Sequence, residues 1–265
     1  MQETFLSFEH VYVARGLNTV LHDINLQICR GEHVAILGPN GCGKSTLIKA
    51  MTCEIYPLVR PETRVSIFGR ERWDLTQLRR MLGVVAPELP GKPTRMTTGL
   101  DAAVSGFFSS STLWPNLTVM DAMRDRALQM LNLVDAGYLR DKLVGEMSAG
   151  QQRRVMIARA LVGAEEDASG QRMLLLDEPS NALDISAQRE LRETMRDLAR
   201  KGTGIILITH HLHDIIPEIE RVIMMAEGRI VADGPKEKLL TPQQLGMVFG
   251  VDVDLQQRDG FFYAW

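Results

Sequence analysis

No stretch of this 265-residue chain approaches the ~20 consecutive apolar residues that a membrane-crossing helix needs. The longest runs, at 173–176 and 204–209, are strand-sized. A basic excess is missing too: 30 Lys and Arg stand against 33 Asp and Glu, for a net charge of −3. Without a global positive field to hold a polyphosphate backbone, no nucleic acid is expected as the main ligand. Cysteine is scarce. Cys29, Cys42 and Cys53 offer neither metal-ligand spacing nor an even disulfide set, which fits a reducing cytosol. The opening Met1-Gln2-Glu3-Thr4 has no basic segment leading into an apolar one, so no signal peptide is expected. Internal repeats and low-complexity linkers are absent. What is there is ordinary globular usage, 45% hydrophobic and 24% charged, which excludes disorder and collagen-like structure. The length supports one large α/β domain, or a core with a satellite subdomain.

Residues 5–13 and 20–30, rich in Val, Leu, Ile and Phe with partial alternation, predict antiparallel strands. Residues 33–37 read as a strand feeding a glycine loop, and 46–51 as the helix after it. Between 88 and 150, Pro90, Gly91, Pro93 and Gly99 break the chain, and two helical stretches follow near 100–108 and 119–133. This predicts a helical insertion. A helix over 151–162, a polar loop at 164–171 and a buried strand at 173–176 come next. Ala187, Leu191, Met195 and Leu198 mark a helix that Gly202 stops. Strands at 204–209 and 221–226 complete the pattern. Strands alternating with helices predict an α/β fold with a mainly parallel sheet, joined here by a small antiparallel β layer.

Gly38-Pro39-Asn40-Gly41-Cys42-Gly43-Lys44-Ser45-Thr46 fits G-x-x-x-x-G-K-[ST], between a predicted strand and a predicted helix. Glycines permit positive φ and close backbone approach. Successive N–H groups then form an anion nest, reinforced by the positive end of the following helix. Lys44 is expected to bridge β- and γ-phosphates, and the Ser45 hydroxyl to hold Mg²⁺. Cys42 sits inside the loop. A helix N-terminus can lower a thiol pKa, although a small filler residue is the simpler reading.

Asp177 and Glu178 end the strand at 173–176 and precede Pro179. Open α/β sheets bind ligands at that edge. Asp177 is expected to complete the Mg²⁺ shell, and Glu178 to polarise the attacking water as general base.

With these residues in hand, the chain resembles the nucleotide-binding domain of ATP-binding cassette (ABC) ATPases over nearly its whole length. Met147-Ser148-Ala149-Gly150-Gln151-Gln152-Arg153 looks like the family signature LSGGQ, with Met147 and Ala149 as mild departures. The resemblance implies that this loop caps the γ-phosphate held by an opposing subunit, through Ser148, Gly150, Gln151 and the helix dipole. Read alone, it is a Ser-capped helix. Asn181-Ala182-Leu183-Asp184 looks like the family's D-loop, which crosses the dimer interface; read alone, Asp184 is a helix cap. His210 matches the switch histidine that reaches the γ-phosphate, and His211 follows it directly.

Two positions depart from the family. Where an adenine-stacking aromatic is usual, the count gives Arg15, with Tyr12 out of register; an Arg plane also stacks on a base. Leu82-Gly83-Val84-Val85-Ala86-Pro87-Glu88 resembles the stretch that ends in the family's Q-loop glutamine, and Glu88 stands nearest that place. A carboxylate binds Mg²⁺ well but, when ionised, donates no hydrogen bond to water.

The resemblance implies a P-loop NTPase core formed by 1–86 and 151–265, with a helical subdomain at 87–150 that ends in the signature loop. It implies ATP and Mg²⁺ as ligands, ATP hydrolysis, and a homodimer with nucleotide at its interface. It also implies separate transmembrane subunits, and a cytoplasmic location at the inner face of the membrane. A soluble cassette working on another machine is the alternative, but the paired cassettes or long coiled-coil insertions usual there are absent. A P-loop kinase would need an acceptor site and an arginine-rich lid, and the signature loop argues against it.

Overall fold

The computed structural model describes residues 3–163 and 172–265, except the side chains of Thr76 and Arg80. The polar loop expected at 164–171 lies outside the described residues. Two compact units are present, Met1–Leu75 with Ile205–Trp265, and Thr76–Gly204.

The first unit opens with β1 (Thr4–Arg15) and β2 (Asn18–Cys29), followed by β3 (Val34–Leu37), α1 (Lys44–Met51) and β4 (Arg64–Ile67). The chain crosses to the second unit along α2 (Leu75–Met81). There it forms β5 (Leu82–Val85), α3 (Lys92–Arg95), α4 (Gly99–Val104), α5 (Asp121–Leu133), α6 (Ala149–Gly163), β6 (Arg172–Asp177) and α7 (Ile185–Arg200). It returns along β7 (Thr203–Thr209) and completes the first unit with β8 (Arg221–Ala226), β9 (Arg229–Pro235), α8 (Lys236–Leu239), α9 (Pro242–Phe249), β10 (Leu255–Arg258) and β11 (Phe261–Ala264).

In the first unit, β1 lies between β2 and β4 in an antiparallel sheet. Phe8 and Val11 are both buried although three residues apart, so the alternation slips by one. A bulge at Glu9-His10 absorbs the extra residue, with His10 at φ +49°. β3 runs parallel to β7 on one side and β8 on the other. Every residue of β3 and β7 is buried, as the uninterrupted apolar runs require of strands covered on both faces. β9 folds back antiparallel on β8 through Glu227-Gly228, both at positive φ. Arg221 clasps this edge, with ion pairs to Asp233 at 2.6 Å and Glu32 at 2.9 Å.

In the second unit, β5 and β6 pair in parallel, Val85 opposite Leu176. Gly83 permits the close approach of α6, since a Cβ there would lie 2.9 Å from the Ala160 carbonyl. α4, α5 and α6 pack on one another through Ala102, Ala103, Ala127, Leu131, Val155 and Ala158, all fully buried. α7 is amphipathic and buries Leu191, Met195 and Leu198 at helical spacing. The helical stretch expected over 100–108 divides into α4 and a 3₁₀ turn at Ser105–Phe108. Ser105 supplies the reason: its hydroxyl donates to the Ala102 carbonyl at 2.7 Å, which tightens the turn.

Candidate functional site

The phosphate loop begins where β3 ends. Leu37 pairs with Thr209, so Gly38 and His210 leave neighbouring parallel strands at the same edge. Gly38 is obligatory: a Cβ there would strike the Met225 carbonyl and lie 2.7 Å from Cys42 Sγ. Gly41 and Gly43 stand at φ +81° and +109°. Gly43 starts α1 without any side-chain cap, and its carbonyl accepts from the Thr46 and Leu47 amides at 3.0 and 2.9 Å. Asn40, Gly41 and Ser45 are exposed, whereas Lys44 and Thr46 are buried. The Lys44 ammonium donates to the Gly38 carbonyl at 2.7 Å and the Pro39 carbonyl at 3.2 Å. The loop thus satisfies its own cation with the carbonyls that border the nest.

Burial pushes the Cys42 thiol above its ordinary range, more than Lys44 pulls it down. Burial thus works against a reactive thiolate at this position. All three cysteines are free.

One supporting residue escaped the sequence reading. Gly228, in the β8–β9 turn, donates its N–H to the Cys42 carbonyl at 2.9 Å and accepts from His22 N–H at 2.8 Å. A Cβ at Gly228 would collide with the Val20 carbonyl. This turn locks the loop to β2. Its Glu-Gly pair was the available signal, but nothing local points to residue 42.

At the end of β7, Thr209 shapes the turn that carries His210. Its hydroxyl donates to Asp214 at 3.1 Å and accepts from the His211 N–H at 3.0 Å. Asp214 is fully buried. The His210 and His211 rings lie 3.9 Å apart, and His213 lies 5.2 Å from His211. Arg15 is exposed at the tip of the β1–β2 hairpin, opposite Asn18. Tyr12 is already occupied, with the Arg60 guanidinium 3.6 Å above its ring.

In the second unit, Asp177 ends β6 partly exposed, and Glu178 follows, buried at 8% exposure. Glu178 has φ +45° and Ala182 has φ +63°. Such values are rare for residues with a Cβ and concentrate at functional turns. β5 ends alongside β6, so Glu88 leaves the same edge and is exposed.

The signature loop forms a reciprocal capping box. Ser148 Oγ accepts from Gln151 N–H at 3.2 Å, and Gln151 Oε1 accepts from Ser148 N–H at 3.1 Å. Gln151 also donates to the Tyr138 hydroxyl at 3.4 Å. The required glycine is Gly150: a Cβ there would lie 2.8 Å from the Cβ of Ala187. Asp184 caps α7, with Oδ1 accepting from Ala187 N–H at 2.8 Å. Ser148 and Asp184 are both exposed.

Known proteins resemble this chain over most of its length. The sequence pattern of the family described as "ABC transporter" matches residues 21–181, more than half of the chain. The hemin import ATP-binding protein HmuV of Hahella chejuensis is 34% identical over 260 residues, covering 91% of each chain. HmuV of Rhodopseudomonas palustris is 34% identical over 252 residues, covering 92% of this chain and 89% of the other. Among solved structures, a metal-chelate type ABC transporter in an inward-facing conformation shares the fold. Its TM-score is 0.79, over 99% of this chain and 97% of that one, at 21% identity. A dimeric bacterial ABC transporter cassette gives 0.68, over 87% and 98%, at 26% identity. The chain belongs to the ABC transporter family, as an ATP-binding cassette that hydrolyses ATP to drive transport through separate membrane subunits.

Proposed function

We propose that this cassette powers an importer of hemin or a chemically related metal chelate, acting as a homodimer at the cytoplasmic face of the membrane. Support for the substrate class is identity to hemin import ATP-binding proteins along nine-tenths of both chains. No helix among the described residues is long and apolar enough to cross a membrane, so the translocation path is assigned to the membrane subunits. The core at 1–86 and 151–265 and the helical subdomain at 87–150 are retained as the working division of the chain.

The observation that carries the nucleotide reading is the uncapped start of α1 beside a lysine held on its own loop's carbonyls. An incoming triphosphate would accept from backbone amides of the glycine loop and draw Lys44 away from the Gly38 and Pro39 carbonyls. Arg15 is the proposed surface for the base. The exposed hydroxyl of Ser45 and the carboxylates of Asp177 and Glu88 are hard oxygen donors, which suit Mg²⁺. That ion would neutralise charge on the β- and γ-phosphates. Glu178 accepts a proton from water as the water oxygen attacks the γ-phosphorus, and the bond to the β-bridging oxygen breaks toward ADP. His210 holds the water and γ-phosphate in line.

Ser148, Gly150 and Gln151 of a second copy close over the γ-phosphate, and Asp184 stands at the interface between copies. Hydrolysis removes the group held from both sides, which opens the dimer. A bacterium lacking this chain and supplied with hemin as its sole iron source tests the proposal. Growth should be restored by the wild-type chain and not by Glu178→Gln. Unimpaired growth without the chain overturns the substrate assignment.

A further inference from the structure

Arg153 has the bulkiest side chain among those fully buried in the described chain, at 2% exposure. It lies on α6, five residues after Ser148. Its two terminal nitrogens donate to two successive carbonyls, Ala86 at 2.6 Å and Pro87 at 2.8 Å, more than sixty residues away in sequence. These are the first two residues after β5, directly before Glu88. Burial lowers the Arg153 pKa, while the Glu88 charge works in the opposite direction. Arg153 Nε has no hydrogen-bond partner among the described residues. A charge kept in the interior and hydrogen-bonded there to backbone carbonyls is a poor source of stability. Its rigid fork is well suited to fixing geometry.

We propose that Arg153 is a positioning residue for ATP hydrolysis, whose guanidinium fork ties the 86–88 loop and Glu88 to the first turns of the signature helix so that the two shift together. Pro87 has no N–H, so its own amide cannot tether the loop at that point. A change at residue 88 is thereby passed through one side chain to the end of α6 that carries Ser148 and Gly150. Conversely, engagement of Ser148 by phosphate sets the place of Glu88.

The proposal rests on the composite-site reading given above. That reading has its own failure, a Glu178→Gln chain that stays monomeric at saturating Mg·ATP. Turnover of Arg153 variants decides the present proposal in either case. The purified chain is compared as wild type, Arg153→Met, Arg153→Lys, Glu88→Gln and the Arg153→Met/Glu88→Gln double variant. Phosphate release and the thermal midpoint are measured for each. Arg153→Met should lower kcat at least tenfold and change KM for ATP less than threefold. Its midpoint should be unchanged or raised, because an apolar side chain replaces a desolvated charge. Arg153→Lys should recover part of kcat. The double variant should lose no more than Arg153→Met alone, since both changes cut one linkage. Wild-type kcat in Arg153→Met overturns the proposal. So does a kcat loss matched by lost folded protein and equal in Arg153→Lys, and so do independent, multiplying losses in the double variant.

Discussion

Two helix starts in this chain, both proposed above to meet phosphate, are finished in opposite ways. α1 begins at Gly43, at φ +109° and with no side-chain cap, and its lysine rests on loop carbonyls. α6 begins behind Ser148, whose oxygen and N–H are both engaged by Gln151. At the first end no side-chain cap competes with an anion for the helix N-terminus. The second already carries a side-chain cap. A phosphate arriving there competes with an existing cap, so its gain is the difference between two bonding arrangements. In the proposed dimer, this difference would let the phosphate loop of one copy hold nucleotide first and the signature helix of the other join afterwards.

The largest effect is expected from removing the chemistry and leaving both ends intact. Glu178→Gln should cut turnover by about 10² to 10⁴-fold, the usual contribution of a general base, and trap an ATP-bound dimer detectable by size-exclusion chromatography. Wild-type turnover rejects Glu178 as the base. At the uncapped end, Lys44→Ala should weaken ATP binding about 10- to 100-fold, in line with ~1.5–3 kcal/mol for hydrogen bonds to charged groups. Calorimetry showing unchanged affinity breaks that half of the comparison.

At the capped end, two substitutions separate the cap from the ligand. Ser148→Ala should cost about 1 kcal/mol of stability through the lost cap. Ser148→Asp should keep the cap and the thermal midpoint, yet lose the ATP-trapped dimer of the Glu178→Gln background, because a carboxylate repels phosphate. Equal dimerisation by both would remove Ser148 from the phosphate site.

The smallest effect concerns His33, near neither end. Burial depresses its pKa below the ordinary 6.5, against the pull of Glu218, Glu220 and Glu32. The unfolded chain therefore binds the proton first as pH falls. Its contribution is neutral well above pH 6.5 and becomes destabilising as pH drops from there through the lower folded value. His33→Gln should flatten the decline of the thermal midpoint below that pH. Parallel curves for the two proteins refute the assignment.

Legibility followed range. The phosphate loop could be read because its requirements are local: positive φ at Gly41 and Gly43, a cation one residue on, and an apolar strand before them. The helical and strand spans over 151–162, 173–176, 204–209 and 221–226 were visible for the same reason, since period and turn residues are short-range signals. Gly150 was visible as part of a motif, but its cause, the methyl of Ala187, belongs to another helix. Gly228 and Arg153 act on residues 42 and 86–87 across long intervals, and no periodicity records such pairings. The 3₁₀ turn after α4 was missed because one hydroxyl-to-carbonyl bond at Ser105 outweighs helical spacing.

The twisted backbone at Glu178 sets a limit on improvement by mutation. A left-handed φ at a side chain with a Cβ costs on the order of 1–3 kcal/mol. Replacement by glycine would release that tension but, in the proposed mechanism, remove the proton acceptor. A backbone relaxed at this one position would then come at the expense of turnover.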